Sequence, residues 1–183
     1  MNPSPNLFLI GPMGAGKSSI GRRLAEHFGM PCIDLDAAIE ARTGTRVATI
    51  FEIEGEAGFR RRESELLAEL VPREGIVLAT GGGAVLVPDN RALLRRHGFV
   101  AWLQTSVEQQ LHRLARDRQR PLLATDDRRA RLEQLARERD PIYRELADCT
   151  VASTDESCQH AATRIAALLE DAWQRLPAPR VSA

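Results

Sequence analysis

Gly11-Pro12-Met13-Gly14-Ala15-Gly16-Lys17-Ser18 is a run of glycine, four residues, glycine, lysine and serine, the spacing of a phosphate-gripping loop. The glycines let backbone amides face phosphate oxygens without side-chain obstruction, and the helix that follows adds a favourable partial positive charge. Lys17 is the only lysine in the chain. Every other basic residue is arginine, so position 17 prefers a slim ammonium, able to reach β and γ phosphates, to a planar guanidinium. Ser18 offers a hydroxyl to a magnesium ion bridging those phosphates. A glycine-rich turn that merely caps a helix would leave that lysine unexplained.

Asp34 and Asp36 flank Leu35. Read as the end of a strand, residues two apart share a face, so both carboxylates point into one crevice. One would steady the magnesium and its waters; the other would accept a hydrogen bond, and a proton, from an attacking hydroxyl. Asp36 also suits a helix N-cap ahead of Ala37-Ala38-Ile39, and Asp34 also suits accepting bonds from loop amides. In Phe59-Arg60-Arg61-Arg62-Glu63, Arg60 and Glu63 share a helix face, so Glu63 can aim the guanidinium at an anion. Spacing alone favours an ordinary surface ion pair there. Gly81-Gly82-Gly83 after Thr80 fits either a tight turn or close approach of a ligand or backbone.

These residues need a scaffold. Apolar runs at Leu7 to Ile10, Cys32 to Leu35, Ile76 to Thr80, Phe99 to Leu103 and Cys149 to Ala152 read as buried parallel strands. Helical spacing covers Ser18 to Phe28, Asp36 to Arg42, Val47 to Leu70, Asn90 to His97, Ser106 to Asp117, Arg128 to Leu146 and Ser157 to Trp173. The alternation predicts right-handed βαβ crossovers and ligands at the carboxyl ends of the strands. The arginine-rich stretch around 113–127 fits a lid and equally a solvated helical face, and the tail 177–183, with Pro177 and Pro179, is expected to be disordered.

At 183 residues the chain suits one domain, 1–183, and 43% hydrophobic with 27% charged is a folded composition. A net charge of zero gives no support to nucleic-acid or membrane-surface binding. Three cysteines without metal-type spacing, and no secretory or membrane-spanning segment at the N-terminus, suit the cytosol. A monomer is expected.

Taken in order, the GPMGAGKS loop, Asp34-Leu35-Asp36, Phe59-Arg60 with Glu63, Gly81-Gly82-Gly83, Arg120-Pro121-Leu122-Leu123 and Arg139 before Asp140-Pro141-Ile142-Tyr143-Arg144 resemble the shikimate kinase family over roughly Leu7 to Leu169. The resemblance implies a three-layer α/β P-loop fold like that of nucleoside-monophosphate kinases, with a five-stranded parallel sheet, a substrate-binding helical region and a lid. It implies transfer of the ATP γ-phosphoryl group to the 3-hydroxyl of shikimate, with magnesium. Asp36 then corresponds to the carboxylate on the substrate hydroxyls and the candidate base, and Asp34 with Ser18 to the metal partners. Arg60 and Arg139 correspond to the clamp on the shikimate carboxylate, and Gly82 and Gly83 to backbone contacts with the ring. Gly14, Ala15, Gly16, Lys17, Ser18 and Ser19 hold the phosphates; Arg113 packs over the adenine, and the lid's Arg120 joins Lys17 at the phosphates in catalysis. A gluconate or nucleoside-monophosphate kinase is the alternative within the chemistry, and a non-catalytic nucleotide-gated module the alternative outside it.

Overall fold

The computed structural model describes residues 3–115, 121–123, 125, 127–154 and 156–176. Five parallel strands, β1 (Leu7–Ile10), β2 (Cys32–Asp34), β3 (Val77–Ala79), β4 (Phe99–Gln104) and β5 (Cys149–Ala152), lie in the order β2-β3-β1-β4-β5. Seven helices connect and cover them: α1 (Lys17–Phe28), α2 (Leu35–Thr43), α3 (Val47–Leu70), α4 (Pro88–His97), α5 (Val107–Arg113), α6 (Arg128–Leu146) and α7 (Cys158–Ala172). The chain first crosses outward from the central β1 in one direction and later in the other, so the mouth of the sheet opens where these paths diverge, beside the end of β1.

Alternate residues of β1 feed opposite cores, which is what a strand buried on both faces requires. Leu7 and Leu9 pack with Leu24 of α1 and Ile165 and Leu169 of α7, while Phe8 and Ile10 pack with Leu67 of α3 and Tyr143 of α6. A smaller cluster of Met13, Leu114, Leu123, Leu132 and Leu135 ties the phosphate loop to α6. No helix among the described residues is long and apolar enough to cross a membrane.

Several boundaries differ from the sequence expectation, each for a local reason. β2 stops at Asp34 because its side chain caps α2, accepting from the Ala37 amide at 3.0 Å, so Leu35 opens a helix and does not close a strand. β3 spans only Val77–Ala79. α4 starts two residues early, with Pro88 in the first turn where a missing N–H costs nothing. α5 ends at Arg113, short of Asp117, with Leu114 and Ala115 in a turn. α3 is broken at Gly55, whose φ of 69° and ψ of −177° are not helical. Of the lid expected at 113–127, Arg120 and several neighbours lie outside the described residues, as does the tail 177–183; Pro121–Leu123 form a short 3-10 turn.

Candidate active site

The phosphate loop leaves β1 through Gly11 at φ 139° and enters α1 through Gly16 at φ 87°. A side chain at Gly11 would also run into the Leu103 carbonyl of β4, so neither the turn nor the packing admits one. Gly16 is the N-cap of α1 and has no capping side chain, and the first turn carries no acidic residue. Its leading amides therefore keep their affinity for an anion. Lys17 is buried and folds back over the loop, donating to the carbonyls of Gly11 at 2.7 Å and Pro12 at 2.8 Å. Its ammonium is thus stationed at the cradle before any phosphate arrives.

Ser18 donates to Asp34, whose other oxygen caps α2. The geometry that brings the two aspartates together is therefore a helix start and not the face of a strand: Asp34 is the N-cap and Asp36 sits in the first turn. The capping role considered for Asp36 belongs to Asp34, and Asp36 is left projecting into the cleft. Lys17, Ser18, Ser19, Asp34, Asp36, Gly81 and Gly82 line one hollow of about 200 Å³ with the loop glycines.

Next to it lies a second hollow of about 260 Å³, built from six segments of the chain. Its apolar wall is Val47, Phe51 and Phe59; its polar groups are Asp36, Glu40, Arg60 and Arg139. Arg60 bonds Glu63 at 2.6 Å, and Glu56 at 3.1 and 3.3 Å. Glu63 is completely buried. Burial pushes its carboxyl up, Arg60 opposes that, and the neighbouring Asp36 reinforces it. For Arg60, burial works against the charge, but Glu63 and Glu56 outweigh it and hold the guanidinium above its already high range. This is not the surface ion pair that spacing favoured. It is a partly buried arginine gripped by Glu63 and Glu56.

Gly83 explains how Arg60 fits: a methyl group there would overlap the guanidinium. Gly81 makes the same room for Glu63 and Asp36. The triple glycine is thus a place of close approach. Arg139 arrives from α6 and is 4% exposed, and its Nε has no hydrogen-bond partner. A buried cation with an unmet donor, lining the same hollow as a partly buried one, fits an anion bound between them. Four residues on, Tyr143 packs on Trp102 of β4 at 5.8 Å and donates to the Gly82 carbonyl. It pins both α6 and the glycine turn. Burial pushes the Tyr143 hydroxyl far up, which keeps it a donor.

A third hollow, about 210 Å³, opens on the other side of the loop. Gly14, Gly16, Ser19 and Ile20 form one wall with Ala15, and Val151 and Ile165 another. Arg113 closes its edge, donating to Gly14 at 3.2 Å and Thr154 at 3.0 Å. Arg164 and Glu156, paired at 2.6 Å, also line it. Sequence reading passed over Arg164 because eight positions separate it from Glu156, about 12 Å along a continuous helix; the turn before α7 lets the two meet.

The three hollows form one trench. The middle one shares Gly14, Gly16 and Ser19 with the third, and Met13, Asp36, Gly81 and Gly82 with the second.

The family model for shikimate kinase matches residues 13–170. A shikimate kinase from Thioalkalivibrio sulfidiphilus is 58% identical over 165 residues, covering 90% of this chain and 87% of that protein. One from Stenotrophomonas maltophilia is 53% identical over 175 residues, covering 96% and 97%. Among solved structures, the shikimate kinase from Acinetobacter baumannii in complex with shikimate superposes with a TM-score of 0.89 at 45% identity, covering 93% of this chain and 95% of that one. The Aquifex aeolicus shikimate kinase gives 0.76 at 30% identity, covering 91% and 96%. The family model takes in the phosphate loop from Met13 onward, the guanidinium-lined hollow and strands β2 to β5, and the chain belongs to the shikimate kinase family.

Proposed function

We propose that this chain transfers the γ-phosphoryl group of ATP to the 3-hydroxyl of shikimate, releasing ADP and shikimate 3-phosphate. One observation carries the reading: the phosphate hollow and the hollow lined by Arg60 and Arg139 share the walls Met13, Asp36, Gly81 and Gly82. A phosphate tail held by the loop and an acid held by the arginines would meet at Asp36.

Each residue then has a chemical task. Arg60 and Arg139 clamp the carboxylate of the acceptor, Phe51, Phe59 and Val47 pack its ring, and Asp36 accepts from its hydroxyls. The substrate oxygen forms a bond to the γ-phosphorus, the bond from that phosphorus to the ADP oxygen breaks, and Asp36 takes the hydroxyl proton. Lys17 stabilises charge on the transferring group, and Arg120, assigned by resemblance, adds to it from the lid at 113–127. Gly82 and Gly83 meet the ring through backbone. Gly14, Ala15, Gly16, Ser18 and Ser19 hold the phosphates and Arg113 flanks the base.

Ser18 and Asp34 fit magnesium. They are two hard oxygen donors side by side at the edge of the phosphate hollow, the few-ligand, oxygen-only set that this ion takes when phosphates and waters complete its shell. Bound there, the ion would neutralise β and γ phosphate charge. The reading carries with it a single catalytic domain, a monomer, and work in the cytosol.

The test is ADP release by the purified protein with ATP and magnesium across shikimate, gluconate and nucleoside monophosphates. Shikimate-dependent release is expected. Turnover of gluconate or a nucleotide with none of shikimate overturns the reading.

A further inference from the structure

Arg62 lies within the arginine run but takes no part in the clamp. It makes three bonds to Glu54, from Nε at 3.0 and 3.1 Å and from the outer nitrogen at 2.6 Å. Along an unbroken α-helix residues 54 and 62 stand about 12 Å apart. They meet here because α3 breaks at Gly55 and its first half folds back. Gly58 permits the fold: a methyl group there would overlap the Glu54 side chain. Arg61 approaches the same carboxylate at 3.7 Å. The hydrogen bond from Arg62 is the main influence holding the Glu54 carboxyl below the usual range.

The two halves of α3 carry adjoining parts of the acceptor hollow's lining. Val47 and Phe51 come from the half before Gly55, Phe59 and Arg60 from the half after it, and the rings of Phe51 and Phe59 touch at 4.7 Å. The first half is also held at its start, where the Val47 amide donates to Glu40 at 2.9 Å, and by Ile50, which is buried in the core. Whatever fixes the bend at Gly55 therefore helps to fix where Phe51 stands relative to Phe59 and Arg60 in that lining. We propose that the Glu54–Arg62 pair is a positioning latch, closed across the bend on the side away from the site, that sets the separation of Phe51 from Arg60 and so the affinity for the acceptor. This rests on the reading of that hollow as the shikimate seat. The pair touches neither the trench nor the phosphate loop, so it acts on acceptor binding and not on chemistry.

The test compares Glu54→Gln, Arg62→Gln, Gly58→Ala and the charge-swapped double variant Glu54→Arg with Arg62→Glu. In the three single variants the KM for shikimate rises about two- to fivefold, the scale on which a partly exposed ion pair acts. The KM for ATP and kcat stay at the wild-type values. Amide hydrogen exchange over residues 47–53 of the resting protein quickens in the single variants, and the swap brings both readings back. Wild-type shikimate KM with wild-type exchange in the single variants overturns the latch, as does an equal rise in both KM values or a swap that restores neither reading. Wild-type protein inactive on shikimate defeats the functional reading alone, and the exchange rates then decide the latch by themselves.

Discussion

The two ends of the trench are built on different plans. At the phosphate end the groups that face the ligand are mostly backbone: one loop, fixed by Gly11, Gly14 and Gly16 in conformations other residues avoid, delivers its amides from a single stretch of chain. At the acceptor end they are side chains, Asp36, Arg60 and Arg139, from three helices, with Arg60 held by Glu63 behind it. A backbone grip is set by chain geometry and changes little when one side chain is altered. A side-chain grip depends on every supporting contact. The phosphate end should therefore lose rate when a side chain is removed, and the acceptor end should lose affinity.

The largest effect is expected at Asp36, where the two ends meet. Asp36→Asn keeps the shape but removes the proton acceptor, so kcat should fall roughly a hundred- to ten-thousandfold while nucleotide affinity, measured calorimetrically, stays near wild type. Equal loss of both would make Asp36 part of the scaffold. Lys17→Met comes next. With the loop still offering its amides, nucleotide binding should persist while kcat drops about a hundred- to a thousandfold, and loss of binding instead would break the comparison, since it would show the grip to depend on this side chain.

Why one end is readable in sequence and the other is not follows from the same contrast. A backbone grip needs particular residues at consecutive positions, so Gly11 to Ser18 announces it by itself. Arg60, Arg139 and Gly83 stand far apart in the chain, and nothing local says that an arginine side chain will fill the space left by a glycine twenty-three positions later. Spacing alone therefore left Arg60 and Glu63 as a surface pair and the triple glycine as either a turn or a close approach. The family pattern supplied the connection that local rules lacked. The break in α3 escaped for another reason: apolar residues continue on both sides of Gly55, and helical periodicity does not register a bend that preserves it. The strand positions were legible because burial leaves uninterrupted apolar runs; the strand order was not, because such runs do not say which strands are neighbours.

Arg139→Ala tests the acceptor end directly. It removes a charged donor, and the KM for shikimate should rise about ten- to a hundredfold with the KM for ATP unchanged. An unchanged shikimate KM removes Arg139 from the clamp. Gly83→Ala asks the subtler question of whether support matters as much as contact. The Gly83 backbone, at φ −102° and ψ −1°, accepts any residue, so the fold is spared and only Arg60 is displaced. The melting temperature should hold while the KM for shikimate rises about tenfold. A wild-type KM would mean that Arg60 can bind the acid from more than one position, and the side-chain grip would be looser than drawn.

The smallest effect lies where the phosphate end gives way to the nucleotide-base hollow, whose outer wall is again made of side chains. The Glu156 carboxyl is held below the usual range, chiefly by its hydrogen bond from Arg164 and then by Thr154. With the folded value depressed, the unfolded chain binds the proton more tightly, so Glu156 adds stability above its ordinary value of 4.5 and loses it as pH falls through the depressed one. Glu156→Gln should therefore melt slightly below wild type at neutral pH, and the gap should close as the solution is acidified past that range. A gap that stays constant with pH would show that the carboxylate charge does not hold this wall, and that here too the backbone, through Ala152 and its contact with Arg164 at 3.2 Å, sets the shape.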